Sequence, residues 1–200
     1  MRSRPLVSYA QYGHPVTGSR AGTLPLKFPD KIEFEGRADI RCVQQLGMLK
    51  LWERLKGSAA LPLASAVHDH DIERIRDKLM LLDVEWHDGA PRYLIRYQGS
   101  DFDRMHNRSC VGLFLNEVMA PAVRERGLKT YRQVVERLTP AFNSTPVRGE
   151  DGAVGNYERL LLPFTHAGQG VEQIYCVVTL FTEDNLSPFA AMSSSAPQGS

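Results

Sequence analysis

The sequence predicts an α+β domain: a five-stranded antiparallel sheet with short helices on one face and an amphipathic helix flanking it at the N-terminal side. Three observations carry that expectation. Two strand-like stretches at 78–86 and 92–99 are separated by His87-Asp88-Gly89, an Asp-Gly hairpin signal. Three more lie close together at 142–148, 155–164 and 173–181, and the segment between the two groups has helical periodicity. Strands grouped on either side of a helical run, with hairpin-length turns inside each group, describe an antiparallel sheet rather than alternating βαβ units. A chain of 200 residues suits one buried core with tails.

Residues 1–38 are rich in Pro, Gly, Ser and Thr and read as a flexible arm. It is locally basic: Arg2, Arg4, Arg20 and Lys27 precede any acid. No continuous apolar run marks it as a secretory signal. The domain proper is expected at 39–184. Its first helix, 39–56, starts at Asp39 as N-cap, places Ile40, Val43, Gly47, Leu51, Trp52 and Leu55 near one face, and stops at Gly57. In the strand at 92–99, Tyr93, Ile95 and Tyr97 alternate against Arg92, Leu94, Arg96 and Gln98. Short helices follow at 100–106 and 113–119. A longer one at 121–138 puts Leu128, Tyr131, Val135 and Leu138 on one face before Pro140 ends it. Glycine-containing turns at 150–152 and 168–170 separate the last strands, and residues 185–200 read as a disordered tail.

Lysine and arginine total 24 against 23 acids, so the net charge of +1 supplies no field for DNA. No apolar run approaches the ~20 residues of a membrane span. Cys42, Cys110 and Cys176 are odd in number and far apart, which suits neither a disulfide framework nor a zinc site and points to a reducing, cytoplasmic setting. Walker, G-x-S-x-G and G-x-G-x-x-G patterns are absent from the sequence.

Specific blocks carry a family resemblance. LWERLKGSAALP at 51–62, MLLDVE at 80–85 followed by RYLIRYQGSDF at 92–102, and YERLLLP at 157–163 stand in register with the expected elements. Together they resemble a bacterial PAS-like family of short, often single-domain proteins, over about residues 39–182. HNRSCVGLF aligns with that family's G-R-x-x-x-G turn through Arg108 and Gly112, which leaves Cys110 where an apolar residue is common. The flavin-adduct block N-C-R-F-L-Q of photosensory relatives is not reproduced. The resemblance implies a PAS-type sensory or regulatory domain, not an enzyme and with no resident cofactor, acting through contacts with a signalling protein. In such a domain a small ligand can occupy the space between sheet and helices. Phe114, Met119, Tyr131, Tyr157, Arg159 and Cys176 are its expected lining, with Arg159 available to an acidic group.

Two alternatives come from the residues. R-x-x-x-R at Arg37 and Arg41, with N-x-S-x-x-G at Asn107, Ser109 and Gly112, matches both halves of a cyclic di-GMP motif, at unusual separation. His68, Asp69, His70 and Asp71 gather metal-ligating types in one loop, as a metal-dependent enzyme requires, although neighbouring residues converge poorly on one ion and a solvated turn with helix N-caps is the better reading. Finally, the stripe of Val43, Leu51, Trp52 and Leu55 needs cover from the outer sheet face or a second copy. The expectation is a homodimer packed through it, sensitive to Leu51→Glu or Leu55→Glu.

Overall fold

The computed structural model describes residues 40–106, 108–148 and 154–182. Helix α1 spans Val43–Lys56, α2 Asp69–Ile72, α3 Ser100–His106, α4 Leu115–Val118 and α5 Pro121–Arg137. Strands β1 (Leu79–His87), β2 (Ala90–Gln98), β3 (Ala141–Arg148), β4 (Val154–Phe164) and β5 (Gln173–Thr182) form one antiparallel sheet in the order β2-β1-β5-β4-β3. First and last strands are neighbours at its centre, and the helices between β2 and β3 cross one face. This is the α+β arrangement expected from the sequence, a five-stranded antiparallel sheet with short helices on one face. The expected arm at 1–38, the Asp39 cap, the turn at 150–152 and the tail at 185–200 lie outside the described residues.

Strand patterning follows position in the sheet. In β4, Leu160, Leu161, Leu162 and Phe164 are all buried, because helices cover both faces of a central strand. Edge strand β2 buries Tyr93 and Ile95 but exposes Arg96. The β1–β2 turn has Asp88 at φ 49° and Gly89 at φ 77°, the left-handed pair that a two-residue hairpin demands.

One expectation about β2 is corrected. Leu81 pairs with Tyr97 while Leu82 pairs with Ile95, so Arg96 is an extra residue in a bulge. The alternation therefore breaks, and Tyr97 leaves the Tyr93–Ile95 face and donates its hydroxyl to the Arg76 carbonyl at 3.2 Å. Gln98 turns in instead, holding the Cys110 N–H at 3.2 Å and donating to the Arg108 carbonyl at 3.1 Å.

Helix α1 covers the face of the sheet opposite α5, starting at Cys42 as N-cap. Trp52 donates its indole N–H to the Pro163 carbonyl at 2.6 Å, and Gln45 donates to the carbonyls of Val177 (2.9 Å) and Glu158 (3.3 Å). Beyond Gly57 the chain returns to the end of β4, where the Thr165 N–H reaches the Pro62 carbonyl at 3.0 Å. The first and third sequence blocks thus meet in space. This corrects the expected association surface: Leu51 is 8% exposed and Trp52 is buried on the chain's own sheet, Leu55 packs against the core, and Val43 alone stays open. The stripe that seemed to call for a second copy is covered within one chain.

Candidate functional site

Beneath α5 the inner face of the sheet carries a polar group among apolar neighbours. Alternation on β4 turns Tyr157, Arg159 and Leu161 to this face, and the register sets Asn143 opposite Arg159, Thr145 opposite Tyr157, and Cys176 opposite Leu161. From above, α5 lowers Tyr131, whose hydroxyl donates to Cys176 Sγ at 3.6 Å. The Tyr131 ring lies 4.9 Å from Arg159 Cζ and packs on Tyr93 with centroids 5.2 Å apart. Arg159 Nε donates to Asn143 Oδ1 at 3.1 Å, and Asn143 Nδ2 donates to Thr145 Oγ1 at 3.5 Å.

Arg159 is only 5% exposed, and among the described residues no carboxylate pairs with it. Burial pulls its guanidinium down, but the phenols of Tyr131 and Tyr157 and the Cys176 thiol more than offset that, leaving it above its usual value. Burial pushes the Tyr131, Tyr157 and Cys176 acids up, so all three stay neutral while the guanidinium stays charged. Among the described residues this buried cation is held by neutral groups, and an opposite charge in such a low-dielectric site would interact far more strongly than in water.

The structure brings together Tyr131, Tyr157, Arg159 and Cys176 of the expected lining and places the other two elsewhere. Phe114 pairs with the edge of β2 opposite Leu94, where the Arg92 guanidinium lies 3.5 Å from its ring centre. Met119 packs over Gly127 at the start of α5. Asn143, Thr145 and Tyr93 join the site unforeseen. Alternation on β3 marks Asn143 and Thr145 as one face, but only the β3–β4 register sets them beside Arg159 and Tyr157.

Of the two alternative sites, the described residues of the first lie apart, and the second forms the capping turn that its spacing favours. Gly112 donates its N–H to the Ile95 carbonyl beyond β2 (2.9 Å), and Ser109 Oγ accepts from the Val111 N–H. Arg41 lies over β4, pairing with Glu158 at 2.5 Å and stacking on Phe181 at 4.8 Å. Four strand spacings, roughly 19 Å, separate the two halves. Arg37 and Asn107 lie outside the described residues. In the other loop, His68 and His70 stack on each other, Asp71 caps the His68 N–H at 3.0 Å, and Asp69 and Asp71 lie near Arg76 and Arg54. Asp71 therefore serves as a capping acceptor, and no group of three or more ligating side chains could hold a metal among the described residues. Cys110 is buried, which raises its thiol and works against a reactive thiolate.

No family model matches the chain, and no curated protein matches it. A solved structure described as "Flavin Analogue Sheds Light on Light-Oxygen-Voltage Domain Mechanism" is similar over 62% of this chain and 92% of its own, at 14% identity and a TM-score of 0.38. That score is too low to carry weight, and the fold stands on the strand order and register above. Among the described residues no helix is long and apolar enough to cross a membrane.

Proposed function

We propose that the chain is a PAS-type sensory or regulatory domain, non-enzymatic, that works through protein contacts and reads a small acidic ligand at Arg159. The observation that supports this reading is the buried Arg159 guanidinium, hydrogen-bonded to Asn143 and stacked on Tyr131 with no carboxylate partner among the described residues. A ligand carboxylate would take the bidentate geometry that guanidinium favours, and the Tyr131, Tyr157 and Tyr93 rings suit an aromatic body behind it. Binding then biases α5 against the sheet, because Tyr131 on α5 and Arg159 on β4 both contact the same molecule.

The route outward runs through β4. Arg159 faces α5, and the preceding residue, Glu158, is 0% exposed and faces the α1 side, where it pairs with Arg41 just ahead of that helix. A shift of this strand is felt by helices on both faces. Thermal denaturation with acetate, benzoate or phosphate tests the ligand half of the reading. Benzoate is expected to raise Tm in the wild-type chain and not in Arg159→Met. If no anion raises Tm, or the shift survives in the variant, the anion-reading role is lost.

A further inference from the structure

A groove of about 510 Å³ runs along the outward side of α1, between that helix and the segment carrying α2 and the 3-10 turn Glu73–Lys78. Val43, 82% exposed, and the open flank of Gly47 form its apolar side, over Met48, Leu51 and Ile75, which are buried beneath. Its rim holds Lys50, Arg54 and Arg74 against a single acid, Asp71, which lies 3.8 Å from Arg54. Gly47 sits mid-helix, yet among the described residues a Cβ there would meet nothing within 4 Å. Glycine weakens a helix interior relative to alanine, and no described neighbour requires it.

We infer that this groove docks an acidic amphipathic helix of another protein, its apolar face on Val43 and the open flank of Gly47 and its carboxylates on Lys50, Arg54 and Arg74. Charge decides against the nearest rival. A second copy laid on the same face sets cationic rim against cationic rim, and like charges across an interface oppose association. The inference deepens the protein-contact part of the proposed function and rests on that part, independently of the ligand at Arg159.

The test uses the full chain and a fluorescein-labelled peptide of about 18 residues, leucine on one helical face and glutamate flanking it, followed by fluorescence anisotropy. A second peptide carries lysine for every glutamate. The glutamate peptide is expected to bind at least about tenfold more tightly than the lysine peptide, more so at low salt. Gly47→Leu fills the groove and favours the helix, so the variant should fold with an unchanged circular dichroism spectrum while binding at least about tenfold more weakly. Arg54→Glu with Arg74→Glu should do the same by charge. Arg159→Met should leave peptide binding unchanged, which separates failure of this surface from failure of the anion site. Equal binding of both peptides, or binding indifferent to Gly47→Leu, overturns the proposal. So does a wild-type dimer in sedimentation equilibrium that Gly47→Leu dissolves, which assigns the groove to a second copy. The stretch KIEFE at 31–35 of the N-terminal arm is itself acidic and apolar, so binding seen only after Ile32→Glu and Phe34→Glu assigns the groove to that stretch and likewise overturns the proposal.

Discussion

Arg159 makes opposite demands on its neighbours and on itself. Asn143→Ala removes the carbonyl that accepts from Arg159 Nε at 3.1 Å, leaving a buried charge with one fewer partner, and is expected to destabilise by about 2 kcal/mol in urea unfolding. Arg159→Met removes the charge altogether, and buried charges replaced by apolar groups of similar volume are often neutral or stabilising, so its stability should stay within about 1 kcal/mol of wild type. A large loss in the methionine variant would mean the guanidinium is structural. Glu172 supplies a pH-dependent contrast. Its carboxylate accepts from Thr165 Oγ1 (2.8 Å) and the N–H groups of Ala167 (3.0 Å) and His166 (2.6 Å), and these bonds hold its pKa below the usual 4.5. A lowered folded pKa contributes stability that is fully present above the unfolded value and is lost as pH falls through the folded one. Glu172→Gln should therefore flatten the stability profile below about pH 4.5 and leave the slope at neutral pH unchanged. At this scale sequence and structure part most often. The histidine-aspartate run carries ligand residue types, yet its crowded spacing already favours a capping turn, and Asp71 accepting from the His68 N–H at 3.0 Å agrees with that; which of the two aspartates caps is not visible in a sequence.

At the scale of elements, α1 is part of the fold it flanks. Leu51→Glu places a charge in the core under that helix and is expected to destabilise the whole domain by about 3 kcal/mol or more, read as a fall in urea midpoint. A variant as stable as wild type would return α1 to the status of a detachable helix. Arg41→Ala removes one cation from the buried Glu158 carboxylate and should cost about 1–2 kcal/mol, read as a fall in urea midpoint. Gly99, where β2 gives way to α3, is held for a steric reason. An added Cβ would stand 2.1 Å from the Arg76 carbonyl oxygen and 2.5 Å from that of Asp77, so Gly99→Ala should destabilise by about 3 kcal/mol through a backbone clash that cannot relax. Long elements were legible from periodicity: β1, β2, α3, α5 and the three last strands fall within a few residues of expectation. Elements without a period were missed, notably α2 and the 3-10 turns at Ala64–Ala66 and Glu73–Lys78, each too short to repeat a face. The bulge at Arg96 was hidden for the opposite reason, since its alternating sequence is unbroken and only pairing with β1 reveals the extra residue.

The whole molecule is a sheet covered on both sides, α1 on one face and α5 with its neighbours on the other, with β4 touching both. The grouping of hairpins made the antiparallel sheet legible. Which side α1 would cover was not, because an apolar stripe reports that something must bury it and says nothing of what. The same limit applied to the site: Tyr131 and Arg159 were named through the family resemblance, whereas Asn143 and Thr145 depended on a register that no local pattern encodes. The central claim is that a buried, uncompensated guanidinium at the heart of this sheet reads an anion and passes the change through β4 to α1. Its most direct measurement is a benzoate titration of the ¹⁵N-labelled chain, followed at the Arg159 Nε–H, the α5 amides around Tyr131 and the Arg41 Nε–H. All three are expected to shift with one binding curve in the wild type and to stay still in Arg159→Met. An Arg159 signal unmoved at saturating benzoate, or one that moves while Arg41 does not, would contradict the anion reading in the first case and the coupling through β4 in the second.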